Sequence, residues 1–102
     1  MRIVWTREAL EDLESIYRFW ASKNEQYSAR LYNSIIDEAE VLRKFPEAGI
    51  LEGFLTHRPE QFRSLLANKH YKLIYTVERD DVVIHAVWDC RRNPDELITE
   101  TH

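Results

Sequence analysis

Several cationic side chains in the second half of this chain are placed where they could bind an anionic or polar target. Arg91 and Arg92 follow an apolar run that ends at Trp88, and Arg63 and Lys72 lie within two earlier apolar runs. Guanidinium and ammonium groups bind phosphate and carboxylate oxygens strongly, and arginine does so with two parallel hydrogen bonds. The arginine pair is therefore the first candidate for a functional site, and Arg63 is a secondary one.

Each arginine also has a purely structural interpretation. Arg91 or Arg92 could pair with Asp89, Asp95 or Glu96 and simply end the strand, a type of surface ion pair that contributes little. We expect such a structural ion pair for one of the two arginines at most, so that the other stays available to bind a target. For Arg63, an ion pair with an acidic residue of the helices and contact with a target are equal alternatives.

The remaining reactive side chains favour structural roles. His85 lies between Ile84 and Ala86, which is typical of a hydrogen-bonded sheet residue, and Cys90 is interpreted as a small hydrophobic residue at a strand end. One cysteine and four histidines without metal-binding spacing give no metal framework, and two glycines exclude a phosphate-binding loop. We predict neither a metal nor another cofactor.

Length and charge restrict the class of protein. The 102 residues predict a single domain over 1–102, compact and 44% hydrophobic. The net charge is -4, yet residues 62–92 hold 6 basic and 4 acidic side chains, a local balance of +2. This basic surface is small for a nucleic-acid-binding protein.

The single cysteine and the absence of a signal peptide or apolar span favour the cytoplasm, with no membrane contact.

Hydrophobic periodicity predicts the elements that position these residues. A short strand over 3–5 precedes a helix over about 7–21, and a polar break leads to a second helix over about 26–44, which Pro46 ends. Residues 50–61 lack periodicity and predict a loop. Three apolar runs, at 62–66, 71–77 and 82–88, predict an antiparallel meander.

Alternation along the meander assigns side chains to two faces. One face of the second run holds Tyr71, Leu73, Tyr75 and Val77, and the other holds Lys72, Ile74 and Thr76. In the third run, Val82, Ile84, Ala86 and Trp88 oppose Val83, His85 and Val87. The helical hairpin can cover only one of these two apolar faces. Unless something else packs on the other face, we expect it to stay partly exposed, which suggests a partner. The fold class is α+β, an N-terminal strand and helical hairpin packed on a twisted antiparallel β-sheet.

This order of elements resembles the RelE/ParE family, small bacterial toxins of type II toxin-antitoxin modules that are also described as plasmid stabilisation proteins. The resemblance covers essentially the whole chain. It is most specific in the patterns Phe62-Arg63-Ser64-Leu65, Tyr71-Lys72-Leu73-Ile74-Tyr75 and Val87-Trp88-Asp89-Cys90-Arg91-Arg92-Asn93-Pro94.

The resemblance implies a growth-inhibiting toxin with a small antitoxin as partner, in one of two branches. RelE-like members are ribosome-dependent mRNA endonucleases, and in that branch the catalytic residues would be Lys72, Arg91 and Arg92, with His70 or His85 for proton transfer. ParE-like members inhibit DNA gyrase without catalysis. In that branch the target-binding residues would be Arg63, Lys72, Arg91 and Arg92.

Two departures from the pattern of RelE-like toxins favour the ParE-like branch. Leu97 occupies the position where RelE-like toxins often have a tyrosine that could stack on a base, and the acidic net charge disfavours docking in a ribosomal RNA cavity. The predicted target is therefore DNA gyrase. The ribosome with its mRNA is the alternative target, and an inactive member that acts only as a protein-binding module is a third possibility.

Overall fold

The computed structural model describes residues 1–55, 59–92 and 96–97, and in these the chain forms two helices and a five-stranded sheet. In chain order, the elements are β1 (Arg2–Trp5), α1 (Arg7–Ala21), α2 (Glu25–Lys44), β2 (Ile50–Leu51), a 3-10 turn (Gly53–Leu55), β3 (Arg63–Ala67), β4 (Tyr71–Glu78) and β5 (Asp81–Asp89). The predicted α+β class is confirmed.

Both helices begin at side-chain caps. The Thr6 hydroxyl accepts a hydrogen bond from the Ala9 N–H at 3.1 Å, and the Asn24 side chain accepts one from the Tyr27 N–H at 3.0 Å. Pro46 follows α2 and prevents its continuation. The helix predictions are confirmed, since α1 has the predicted bounds and α2 begins one residue earlier than predicted.

The hairpin packs on one face of the sheet and forms the main core. Ser28, fully buried in α2, donates a hydrogen bond to the Tyr17 carbonyl oxygen at 2.6 Å and so fixes α2 against α1. Full burial of each large aliphatic side chain contributes about 1.5–3 kcal/mol. The core residues with 1% exposure or less are Ala9, Leu13, Leu31, Ile35, Ala39, Leu42, Ala67, Leu73, Tyr75, Val82 and Ile84.

The strand order is β1-β5-β4-β3-β2, and β1 pairs with β5 in parallel. The sheet is therefore mixed, whereas the sequence predicted antiparallel pairing, which holds for the meander β3-β4-β5. Parallel pairing needs a long connection, and the paired residues Arg2 and Asp81 lie 79 positions apart in the chain. A bidentate ion pair between these two side chains, at 2.9 and 3.0 Å, joins the first ends of the two strands.

A β-bulge interrupts the pairing of β4 with β5. Tyr75 pairs with Ile84, but Ile74 pairs with Ala86, so the register skips His85, which is the extra residue of the bulge. One inserted residue reverses the facing of every side chain that follows it.

The predicted alternation in β5 is therefore wrong beyond Ile84. Val87 belongs to the core under the helices, whereas Ala86 and Trp88 lie on the opposite face of the sheet. We call this opposite face, which also carries Lys72 and Ile74, the second face.

The second face is covered by the chain itself, which corrects the expectation that it stays partly exposed. A second core forms there from Leu55, Phe62, Ile74, Ala86, Trp88 and Leu97. Leu55 comes from the 3-10 turn, in the segment predicted as a loop, and Leu97 is 1% exposed. This cover leaves less apolar surface for a partner than the sequence suggested.

The turn between α2 and β2 is tied to the sheet through Tyr75. Its hydroxyl donates to the Pro46 carbonyl oxygen at 2.8 Å and accepts from the Gly49 N–H at 2.9 Å. Burial raises the pKa of this phenol. Gly49 passes so close to β3 that a Cβ there would lie 2.6 Å from the Ser64 carbonyl oxygen.

We expect Gly49→Ala to lower the free energy of unfolding by about 1–3 kcal/mol, because the added methyl group must displace backbone or the buried phenol. Gly53→Ala is the matched control, since a Cβ at Gly53 meets no atom within 4 Å. Urea denaturation of both variants measures the difference. Equal stabilities would contradict the close packing at Gly49.

Candidate functional site

An open groove lies between α1 and the ends of β4 and β5, and we call it the arginine groove. It has a volume of about 500 Å³. It is lined by Asp12, Ser15, Ile16, Phe19, Trp20, Tyr71, Val87, Asp89, Arg91 and Arg92. Its walls are mainly aromatic and aliphatic, and both predicted arginines lie on its rim.

Two polar contacts fix α1 against the sheet at this groove. The Asp12 carboxylate accepts a hydrogen bond from the Val87 backbone N–H at 3.0 Å, and the Trp20 indole N–H donates to the Tyr71 hydroxyl at 3.0 Å. These two contacts join α1 to β5 and to β4 along the groove. Phe19 remains 55% exposed beside it.

Arg91 is held by Asp89 in a bidentate pair. Its Nε lies 2.8 Å from Oδ1 and its Nη2 lies 2.9 Å from Oδ2, and its guanidinium is 5.8 Å from the centre of the Tyr71 ring. The hydrogen bonds from Arg91 lower the pKa of the Asp89 carboxyl. About half of the Arg91 side chain is nevertheless exposed, so the cation stays accessible from the groove.

Arg92 stacks on Trp88, with its guanidinium carbon 4.4 Å from the ring centre, and its Nη2 lies 2.6 Å from the Glu96 carboxylate. Both arginines are thus in ion pairs, and the expectation that one would stay outside such a pair is wrong. The side chains of Arg92 and Glu96 are 42% and 49% exposed. Ion pairs this exposed are weak and can exchange with a partner's carboxylate.

Lys72 lies on the second face, away from the arginine groove. Its Nζ is 2.6 Å from the Glu52 Oε2, and the two side chains are only 18% and 5% exposed. The other Glu52 oxygen accepts from the Phe54 N–H at 3.3 Å, and the Phe54 ring centre is 5.9 Å from Nζ. The segment after β2 thus neutralises and covers this cation. Its predicted contact with a target stays a prediction.

We expect Glu52→Gln to lower the free energy of unfolding by about 1–3 kcal/mol, because it leaves the largely buried Lys72 ammonium without its counter-charge. Glu40→Gln is the control, since Glu40 pairs with Arg43 at the surface, where both side chains are about half exposed. Thermal melting of both variants checks this. A larger loss in Glu40→Gln would contradict a structural role for the buried pair.

Among the described residues, Arg63 contacts a backbone group and no acidic side chain. Its Nη1 donates to the Gly49 carbonyl oxygen at 2.9 Å and so supports the turn before β2. Its predicted role in target binding also remains a prediction. Of the four cations singled out by the sequence, only Arg91 and Arg92 lie together.

The histidines fit the structural interpretation. The His85 Nε2 lies 2.8 Å from the Thr76 hydroxyl oxygen, and its ring meets the Phe62 ring edge-on, with 5.2 Å between their centres. His70 is exposed in the β3–β4 turn, where its carbonyl oxygen accepts from the Cys90 N–H at 2.7 Å. Among the described residues, no three histidine, cysteine or acidic side chains are grouped to hold a metal ion.

Sequence reasoning missed two features of this region. Glu52 lies in a segment without periodicity, and nothing in the sequence pairs it with Lys72, 20 residues away. The contribution of α1 to the groove had one signal in the sequence, the aromatic Phe19 in that helix. Asn93 and Pro94, which end the pattern at 87–94 quoted in the sequence analysis, lie outside the described residues.

The fold and this groove can now be compared with known proteins. A family model described as ParE toxin of type II toxin-antitoxin system, parDE, matches residues 3–94. The chain therefore belongs to the ParE toxin family, and it is the toxin component of a type II toxin-antitoxin system. Membership of this family implies an antitoxin as partner.

Solved structures share the fold at low sequence identity. The chain is similar to a protein of the chromosomal ParDE toxin-antitoxin system from P. aeruginosa, with a TM-score of 0.73, 19% identity and coverage of 87% of this chain and 95% of that one. It is also similar to a YoeB/ParE toxin from Agrobacterium tumefaciens, with a TM-score of 0.56, 20% identity and coverage of 87% and 98%. No curated protein sequence matches the chain.

Proposed function

We propose that this toxin inhibits DNA gyrase by direct protein contact, without catalysing a reaction, and that the arginine groove is its contact surface. The observation that carries the proposal is the covered second face of the sheet. The cation predicted to act there in a nuclease is neutralised, and the surrounding surface is filled by the chain's own side chains.

The covered face disfavours an mRNA endonuclease. Lys72 would have to release Glu52 before it could stabilise charge on a phosphate, and separating a largely buried ion pair is costly. Leu55, Phe62 and Leu97 fill the same face, and each is 3% exposed or less. An RNA strand would need to displace Glu52 and the segment after β2 to reach Lys72.

The arginine groove has the composition of a protein-binding surface. Tryptophan, tyrosine and arginine dominate the residues that contribute most binding energy at protein interfaces, and Trp20, Tyr71, Arg91 and Arg92 line this groove. A carboxylate on the target can replace Asp89 or Glu96 as the partner of either arginine. The groove therefore suits an acidic protein segment with an apolar anchor.

The acidic net charge of -4 adds support, because binding to a nucleic acid or a ribosomal cavity draws most of its affinity from basic residues. No helix among the described residues is long and apolar enough to cross a membrane. We place the action of the toxin in the cytoplasm with its target.

Two measurements test this proposal. Expression of the chain alone should arrest growth with filamentation and induction of the DNA-damage response, and the purified protein should inhibit supercoiling by purified gyrase. Inactivity of the Arg91→Ala, Arg92→Ala variant in the same supercoiling assay would link the effect to the groove. Rapid loss of translated mRNA without DNA damage would instead show the endonuclease mechanism.

A further inference from the structure

The hydroxyl group of Tyr71 lies in the arginine groove between two hydrogen-bond donors. Tyr71 is 4% exposed and lines the groove. Its oxygen accepts from the Trp20 indole N–H at 3.0 Å and from the Arg91 Nη2 at 3.4 Å. A phenol also has one hydrogen to donate, and no group among the described residues accepts it. A nearly buried donor without an acceptor is a group that a ligand can satisfy.

Arg91 is held along one edge of its guanidinium. Its Nε and Nη2 contact the two oxygens of Asp89, and Nη2 also contacts Tyr71. The two N–H groups of Nη1 contact no acceptor in the part of the chain that the structure describes. Arg91 can therefore bind a ligand through Nη1 while Asp89 holds the other edge.

The protein's own contacts fix both donors. Tyr71 and Asp89 are paired residues of β4 and β5, and the Asp89 Oδ1 also accepts from the Arg91 backbone N–H at 2.9 Å. The Trp20 ring meets the Phe19 and Tyr27 rings edge-on, with 5.1 and 5.2 Å between the centres. Groups that are already ordered lose little entropy on binding, which favours recognition of a ligand here.

The two donors define the chemistry of the ligand. The Tyr71 hydroxyl and the Arg91 Nη1 both donate, so the ligand group must accept two hydrogen bonds. A carboxylate has one oxygen for each donor, and its hydrogen bond to a guanidinium is of the stronger, charge-assisted kind. Ile16, Phe19 and Val87 add apolar walls, which suit the stem that carries this carboxylate.

The charges of the groove favour a carboxylate over a phosphate group. The lining contains Arg91 and Arg92 but also Asp12 and Asp89, so its formal charges cancel. A phosphate monoester carries about −1.5 to −2 charges at neutral pH and would face both aspartates with this larger charge. Because the lining has no net charge to attract an anion, selectivity must come from short hydrogen bonds.

We propose that Tyr71 and Arg91 form a carboxylate-binding subsite that takes an aspartate or glutamate side chain of the target protein. The inference rests on the proposed function, because it names the chemical group on the target that the groove binds. Tyr71 is thereby a binding residue to which the sequence gave no functional role. Asp89 and Trp20 are positioning residues, since they hold Arg91 and the Tyr71 hydroxyl in place.

A small probe tests the subsite directly. Phenylacetate combines an apolar ring with a carboxylate, and phenylacetamide is its uncharged isostere. Binding is followed by NMR at the Trp20 indole N–H, with the Trp5 indole as the internal reference, because Trp5 does not line the groove. The wild type should bind phenylacetate with a Kd of about 1–10 mM and phenylacetamide about fivefold or more weakly. Equal affinity for the two probes would overturn the inference.

Two tyrosine variants separate the hydroxyl group from general packing. Tyr71→Phe removes the proposed donor, whereas Tyr75→Phe removes a buried hydroxyl that bonds to Pro46 and Gly49, away from the groove. We expect Tyr71→Phe to weaken phenylacetate binding about fivefold or more and to reduce its preference over phenylacetamide. Tyr75→Phe should bind as the wild type. If Tyr71 only supports Trp20, Tyr71→Phe will weaken both probes equally, and the inference is then wrong.

Arg91→Lys tests the subsite at a half-exposed position, where the variant should fold even if Tyr71→Phe does not. Lysine keeps the charge, but its single ammonium cannot hold Asp89 along one edge and present a second nitrogen to a ligand. Phenylacetate binding should fall about fivefold or more, whereas Arg18→Lys on the outer surface of α1 should bind as the wild type. Unchanged binding in Arg91→Lys would overturn the inference.

Inhibition of purified gyrase separates this inference from the proposed function. Tyr71→Phe should need about fivefold or more protein for half-inhibition of supercoiling, and Tyr75→Phe the same amount as the wild type. If the probes bind as expected but the wild type does not inhibit gyrase, the subsite is supported and the proposed function fails. If the wild type inhibits gyrase but does not prefer phenylacetate, only the subsite is wrong. Tighter binding of phenyl phosphate would overturn it in favour of a phosphate site.

Discussion

Simultaneous substitution of Arg91 and Arg92 by alanine is expected to abolish growth arrest while the protein remains folded. Both side chains are about half exposed on the rim of the arginine groove, and their ion pairs are with surface carboxylates, so little packing is lost with them. The measurement is a growth-arrest assay at matched soluble expression, together with thermal melting. The melting temperature should stay close to that of the wild type.

Arg18→Ala combined with Arg43→Ala is the matched control. These arginines also form exposed ion pairs, with Glu14 and Glu40, so the control removes the same charge from the helices instead. It should remain toxic. If the Arg91→Ala, Arg92→Ala variant is fully toxic, or melts far below the wild type, the arginines are incidental or structural and the proposed contact surface is wrong.

Trp88→Ala is expected to cause the largest loss of stability, about 3–5 kcal/mol. Trp88 is 4% exposed within the second core, and its truncation leaves a cavity among Leu55, Phe62 and Leu97. The free energy of unfolding of a small domain is only about 5–15 kcal/mol in total. The melting temperature of Trp88→Ala should therefore fall by more than about 10 °C. Arg92 also loses the ring on which it stacks.

Phe19→Ala serves as the control for Trp88→Ala, because it removes an aromatic ring that is 55% exposed. Its melting temperature should change little. A small effect of Trp88→Ala in the same experiment would contradict the second core. Toxicity of Trp88→Ala is informative only at temperatures where the variant is folded.

Much of the fold could be predicted from local patterns. The spacing of apolar residues located both helices, because an amphipathic stripe and its caps lie within one continuous segment. The meander was also predictable, because each of its apolar runs lies within one continuous segment. By contrast, the parallel pairing of β1 with β5 joins residues 79 positions apart, and no local pattern encodes it.

The candidate site was predictable in its residue types but less so in its surroundings. The sequence placed Arg91 and Arg92 after the last apolar strand. In the structure this position lies on the rim of the groove. The bulge at His85 could not be predicted, since a single extra residue leaves the composition of the strand unchanged and yet moves Trp88 to the other face. The pairing of Lys72 with Glu52 depends on the tertiary fold and likewise could not be predicted from the sequence.

The position of β5 between β1 and β4 has a consequence for synthesis of the toxin. Of the described strands this one is synthesised last, yet it supplies the only described neighbour of β1 and the Val87 N–H that Asp12 binds. A nascent chain that stops before β5 has one empty strand position, between β1 and β4, and no arginine groove. Synthesis must therefore continue through β5 before a competent toxin can exist, and chains that stop before this strand should not complete the fold.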